Sequence, residues 1–508
     1  MIELHQLIKS LDANEKKYFR RFGLKDDSKG KTSTERLFEI MDELEEYDEE
    51  KILNRLKRAK LTKQSVYLKS YLYNLLLDTL LWYNKEKSQE LKATFELSKI
   101  KLLEDRGLDK AAQKHTEKLI RSAMQNASFT DRWNTLGRNI HFASNEYLSS
   151  QKSAFTDVDN LLQQRHLLLH QMERYHQYDA LLAKQLKLMR KAMQARSEED
   201  LHSLNEIFEN EIVQQATFAN SPDSHFIFFT LRLHHFQLTN QLDKFYAEAK
   251  DAVDYIKLQG TENFPAMQVL WAYAQLTQAC YFTRQWQLLK NYLEELKSVE
   301  ITNTTEKTAQ FTYYTQLAIT LYDFKQDKKL LTLTLNEAIS NLMLFKNRLR
   351  PDIRLSITLT CVSALVEYGY YSKAVDLCED FLTNYDTGIR LDALLMLYVY
   401  EFICHLEMGN TLYINNTIQN VYRYFLRHDY KGAFESKLML VFKKISEIHN
   451  YSSHRKEIEK LKEELNEAGE NAANHQHLAL MPLVQNFLDA KLVNEKIHVF
   501  LAAQKQKG

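Results

Sequence analysis

The sequence predicts an all-α protein: a right-handed, two-layer α-solenoid of antiparallel helix pairs behind an N-terminal helical domain. The first observation is a scarcity of helix breakers. The 508 residues include four prolines and eleven glycines, against averages of about 5% Pro and about 7% Gly in soluble proteins. The second is that every proline stands where a helix can begin. Ser221-Pro222-Asp223 reads as N-cap, first helical position and first-turn acid, a place where the missing N–H of proline removes no intrahelical bond. Pro265, Pro351 and Pro482 each precede a long helix-compatible run. The third is periodicity. Turn signals at Gly107, Gln151, Ser197, Asn240, Arg284, Gln326, Gly369, Gly409 and Ser452 interrupt long amphipathic runs every 40–46 residues or so, the period of two-helix repeat arrays.

In chain order, residues 1–86 form the N-terminal domain, with shorter helices expected over 12–22, from the capping box Thr32-Ser33-Thr34-Glu35 onward, over 48–60 and over 63–84. A polar loop, Lys25 to Lys31, separates the first two. Residues 87–470 form the repeat array. Pro222, Pro265 and Pro351 lie 18, 19 and 18 residues before the breaks at 240, 284 and 369, so each opens the first helix of a pair at the same phase. A helix of ~18 residues is about 27 Å long, and stacked pairs of that size predict an elongated particle. The charged stretch Ser453 to Leu465 carries only a narrow apolar stripe, which suits a solvated outer helix better than a coiled coil. Residues 471–508 are expected to form C-terminal capping helices.

The residues around two breaks resemble the tetratricopeptide repeat. In Glu367-Tyr368-Gly369-Tyr370-Tyr371-Ser372-Lys373-Ala374-Val375 a glycine closes the first helix, an aromatic follows by two and an alanine by five, and Gly107-Leu108-Asp109-Lys110-Ala111-Ala112 repeats the glycine-to-alanine spacing. Glycine accepts the left-handed turn at a helix end, and alanine lets two helices approach closely. Phe245, Leu289 and Leu331 occupy the alanine position elsewhere, and the period exceeds the ~34 residues of that family, so the chain is tetratricopeptide-like. Separately, Ser10-Leu11-Asp12-Ala13-Asn14-Glu15-Lys16-Lys17-Tyr18-Phe19 and Tyr71-Leu72-Tyr73-Asn74-Leu75 resemble the opening of uncharacterised cytoplasmic bacterial helical-repeat proteins. That resemblance covers about the first eighty residues and implies no activity.

Charge and cysteine content narrow the function classes. Lys+Arg and Asp+Glu each number 67, so the formal net charge is zero, whereas non-specific nucleic-acid and membrane-surface binders carry a basic excess. Met1-Ile2-Glu3-Leu4-His5 lacks a basic n-region, and the apolar run Ala393 to Tyr400 is far short of the ~20 residues that span a bilayer. Cys280, Cys361, Cys378 and Cys404 show no CxxC or metal spacing and sit among apolar helical positions, which predicts buried free thiols. A cytoplasmic location without membrane contact is expected.

No motif with catalytic chemistry appears: no GxSxG, no GxxxxGK[ST], and no GxGxxG after a strand. His166 and His170 stand four apart with Glu173 one turn further along. Leu167 occupies the place of the glutamate in HExxH, no third ligand is evident, and one such pair among 17 histidines is a chance expectation. His234-His235 and His475/His477 are weaker still. No catalytic residue, cofactor or metal is expected.

Two binding surfaces are expected instead. The phase of the repeats places Arg138, His141, Asn145, Lys187, Lys191, His234, Gln237, Gln278, Tyr281, Gln316 and Thr320 on first-helix faces lining a concave groove, polar or aromatic at the spacing a peptide groove requires. A groove must also be polar merely to stay wet. In the N-terminal domain, Asp42 to Glu50 holds seven acids and Lys51 to Lys69 seven bases. A helix–turn–helix broken at Ala59 to Thr62 would present Lys63, Gln64, Tyr67 and Lys69 to a nucleic-acid groove, unless the basic run simply pairs with the acidic one beside it. The preferred expectation is a non-enzymatic scaffold that binds a protein or peptide partner. A nucleic-acid-binding regulator is the alternative.

Overall fold

The computed structural model describes residues 2–24, 32–44, 47–58, 65–86, 89–123, 129–150, 155–192, 198–346, 348–383, 391–427, 433–448, 450–470 and 480–505. Every regular element among them is helical, and no described helix is long and apolar enough to cross a membrane. The chain divides into two compact units, Met1–Lys307 and Thr308–Gly508.

The unit Met1–Lys307 opens with short helices whose ends have local causes. Asp12 caps Ala13–Tyr18 through a reciprocal capping box with Glu15, and the chain continues through a π-helical turn, Phe19–Gly23. The helix Ser33–Asp42 is capped by Thr32, whose Oγ1 accepts the Glu35 N–H at 3.1 Å. Glu49–Arg58 and Ser65–Asn84 complete the group. These helices share a core of their own, built from Ile8, Phe19, Leu37, Phe38, Met41, Ile52, Leu56, Leu72 and Leu76, all fully buried.

From residue 89 to Ser298, and again from Lys328 onward, successive helices pack on their chain neighbours. Pro222 and Pro351 occupy first helical positions of Pro222–Leu238 and Pro351–Glu367, Pro265 is the N-cap of Ala266–Phe282, and Pro482 lies in the first turn of Met481–Leu492. Six of the nine breaks expected from sequence share one turn geometry, while Ser452 falls in the 3₁₀ turn Tyr451–His454. Gly107, Asn240, Arg284, Gln326, Gly369 and Gly409 all have positive φ, between 53° and 76°. After each, the next N–H reaches five residues back: Gln241 to Phe236, Gln285 to Cys280, Asp327 to Tyr322 and Tyr370 to Leu365, all at 2.8–3.0 Å. This is the Schellman bond that satisfies a helix-end carbonyl. Gln151 and Ser197 lie outside the described residues.

One interval departs from the expected period. Between 151 and 197 a helix pair requires an intervening turn, but Phe155–Ala192 is a single helix of 38 residues. It contains no glycine or proline, so nothing local ends it, and it spans about 57 Å.

In the unit Thr308–Gly508 the C-terminal segment doubles back. Met481–Leu492 packs on Arg455–Glu470, and Ile497–Lys505 lies against Pro351–Glu367. Lys491 forms a buried ion pair with Glu407 at 2.8 Å, and the same Glu407 oxygen accepts the Ile497 N–H at 3.0 Å. Tyr371 Oη lies 2.7 Å from His498 Nδ1. Lys505 ends the helix between Asp323 and Glu367, 2.6 Å from each. All four cysteines are buried and free.

Candidate functional site

Gln89–Glu104, Asp109–Ala123 and Phe129–Ser150 share a core of Ala93, Ile100, Ala112, Leu119 and Phe142, with Leu97 and Leu103 packed against it, and Phe155–Ala192 packs on Phe129–Ser150. Beside this core a cavity of about 500 Å³ is lined by Leu97, Trp133, Asn134, Gly137, Arg138, His141 and Arg165. Five of these come from one helix, at positions four apart (133, 137, 141 and 134, 138), which puts them on one face. Leu97 and Arg165 come from the helices on either side.

Arg165 distinguishes this recess. Its guanidinium carbon sits 3.9 Å from the centroid of the Trp133 ring, close enough for a cation–π contact. Gly137, one turn along the same helix, lets the guanidinium approach closely; a Cβ built there would already touch Nη2 at 3.4 Å. The Nε is buried without a hydrogen-bond partner, and no ion pair to Arg165 occurs among the described residues. Arg138 is committed differently, to an ion pair with Glu104. His141 is exposed, its ring 6.0 Å from Phe142. The recess therefore presents one arginine paired with Glu104, one arginine over an indole with no ion-pair partner among the described residues, and an apolar wall at Leu97. A carboxylate attached to an apolar or aromatic group is the ligand such a set can hold, because a planar guanidinium binds carboxylates by two parallel hydrogen bonds.

The other residues expected in a groove are distributed otherwise. Asn145 and Lys191 lie on helices, with side chains outside the described set. Lys187 is exposed. His234 Nδ1 lies 3.1 Å from Oε1 of the buried Gln185, whose amide donates to the Leu231 carbonyl at 2.8 Å. Burial pushes the His234 imidazole down to about 4. Gln316 donates to Ser356 Oγ at 2.6 Å and lies 3.3 Å from Thr360 Oγ1, both on Pro351–Glu367, while Thr320 donates to the Gln316 carbonyl. Tyr281 packs edge-on to Trp286, and Gln237 and Gln278 are half-buried. His234 and Gln316 thus bond their helices to neighbouring ones, Phe155–Ala192 and Pro351–Glu367.

In the N-terminal helices, Lys63 and Gln64 lie outside the described residues. Tyr67 is 76% exposed and stacks on Tyr71 at 6.3 Å, and Lys69 is half-buried. Arg55 pairs with Glu43 at 2.7 Å and Lys51 with Asp48 at 3.0 Å, so part of the basic run is answered by the acidic run. The His166 and His170 rings meet at 3.0 Å between Nε2 atoms, with Glu173 3.9 Å from His170 Nδ1, all exposed.

Sequence reasoning placed Arg138 and His141 but missed Trp133, Gly137 and Arg165. Trp133, Gly137 and His141 were open to discovery as a four-residue spacing around one of only four tryptophans. Arg165 carried no such signal, since it joins the site across a helix–helix contact. Comparison with known proteins finds no matching family model, no similar curated protein and no similar solved structure.

Proposed function

We propose that the protein is a non-enzymatic helical-repeat scaffold that binds a protein or peptide partner along its first-helix faces, with an acidic group of the partner seated on Arg165. The observation that carries this reading is the Arg165 guanidinium over Trp133 in an open recess, its Nε unpaired and without an ion-pair partner among the described residues. A cation already positioned on an aromatic face gives up little side-chain freedom on binding, so a carboxylate gains a charge-assisted bond there at low entropic cost.

The test is a peptide array in which each acidic sequence is paired with its Gln/Asn counterpart. Acidic peptides should be retained over their amide counterparts. Arg165→Ala should weaken that retention about tenfold or more, as expected for hydrogen bonds to a charged group worth about 1.5–3 kcal/mol. Arg138→Ala should matter less, because Glu104 already neutralises that charge. Equal retention of acidic and amide peptides would overturn the reading.

A nucleic-acid interface at the N-terminal helices is the second reading, supported by the exposed Tyr67–Tyr71 stack beside Lys69. Aromatic faces flanked by bases suit single strands. It requires retention on nucleic acid that falls steeply with salt and disappears on combining Lys63→Glu with Lys69→Glu.

A further inference from the structure

In the unit Thr308–Gly508, the helices Tyr371–Thr383 and Leu391–Met408 pack directly on one another. Their contact brings together Glu379 from the first and Glu401 and His405, one turn apart, from the second. One ligand atom of each lies within 4.8 Å of the others, and His405 Nε2 is 4.0 Å from Glu401 Oε1. The group is graded in exposure: Glu379 faces solvent, while Glu401 and His405 are 8% and 3% exposed.

The imidazole supplies the second observation. Both His405 ring nitrogens are buried with no hydrogen-bond partner, although the ring is held flat against Tyr413 at 5.2 Å. Buried polar atoms normally find partners, and a side chain with both nitrogens unpaired calls for an explanation, a bound ion among them. Glu401, one turn before His405, meets the ring only through that long 4.0 Å contact. Burial and the nearby Glu379 charge push its carboxyl up to about 7. The adjoining Asp380 is already committed to Arg354 and Lys346.

We propose that Glu379, Glu401 and His405 bind a divalent first-row transition-metal ion, with Zn²⁺ as the representative. One such cation satisfies an imidazole nitrogen and neutralises two carboxylates at once. The nitrogen ligand favours the zinc class over Mg²⁺ or Ca²⁺, which take oxygen donors. Bonds of about 2.0–2.2 Å in tetrahedral geometry set ligand atoms about 3.3 Å apart, so closing the site needs a movement on the order of 1 Å, which the exposed Glu379 side chain can supply. Three protein ligands leave a position for water or a donor from a partner. The bound ion would clasp the two helices of one pair.

The experiment uses the full chain, stripped with chelator and titrated calorimetrically with Zn²⁺. The expected result is one site per chain and a higher melting temperature with metal, because a ligand that binds only the folded state stabilises it. Glu379→Gln, at an exposed position that leaves the fold intact, should weaken binding at least tenfold, and His405→Gln should abolish it. Combining His166→Gln with His170→Gln should leave that site in place. Co²⁺ in the site should show visible bands without an intense thiolate band, although Cys378 and Cys404 neighbour the ligands in sequence. The proposal is overturned by no binding to the stripped chain, by unchanged binding in Glu379→Gln, by loss confined to the His166/His170 variant, or by a thiolate band.

Discussion

Three histidines of the helix Pro222–Leu238 are held in their neutral form. Burial lowers the pKa of His225, His234 and His235, and the positive charges of Lys244 and Arg232 lower His235 further. For His234 the displacement is from 6.5 to about 4. A group depressed on folding binds its proton more readily in the unfolded chain, so its contribution is complete above the unfolded value and is lost as pH falls. The window is therefore pH 6.5 down to about 4, and His234 alone accounts for up to roughly 3 kcal/mol across it. Denaturant midpoints should stay level from pH 8 to 7 and fall through that window. His234→Gln, which retains an amide partner for Gln185, should flatten part of the fall. An unchanged slope in the variant would show that the imidazole is solvated.

At the scale of the element, the left-handed turn repeats while the residue that occupies it varies. Glycine holds it at Gly107, Gly369 and Gly409, but Asn240, Arg284 and Gln326 hold the same φ with a side chain. An L-residue with a Cβ is strained there by about 1–2 kcal/mol. Gln326→Gly should therefore stabilise the unit Thr308–Gly508 by a few tenths to about 1 kcal/mol, the net of relieved strain and the entropy glycine loses. Gly409→Ala, with nothing within 4 Å of a new Cβ, should cost about 1 kcal/mol. Gly369→Ala should cost more, since its Cβ would stand 3.2 Å from the His498 ring; melting curves of the three variants check the order. These turns were legible because their causes are local: a breaker, a polar break, or a proline a fixed distance upstream. The reciprocal capping box at Asp12 and Glu15 was equally local, although only the one at Thr32 had been expected. The unbroken helix Phe155–Ala192 and the seat of Arg165 on Trp133 were not legible. Amphipathic spacing does not reveal where a helix runs on, nor which side chain a neighbouring helix delivers.

At the scale of the whole molecule, contacts remote in sequence hold the last helices of the unit Thr308–Gly508. Lys491 and Glu407 are buried with side chains 6% and 2% exposed. Lys491→Ala strands a carboxylate in the interior and should cost about 3–5 kcal/mol. Combining Lys491→Met with Glu407→Leu should recover most of that, short of the bond the Ile497 N–H then loses, and a double-mutant cycle by chemical denaturation reads the difference. The contacts of Lys505 reach further, joining residues 182 and 138 positions apart. Chains are synthesised from the amino end at ~5–20 residues per second. Asp323 is therefore incorporated roughly 10–40 s before the lysine that pairs with it. Through that interval Asp323 and Glu367 lack the cation they share, so the link it makes between the ends of the helices Thr304–Phe324 and Pro351–Glu367 forms only after both helices have been made.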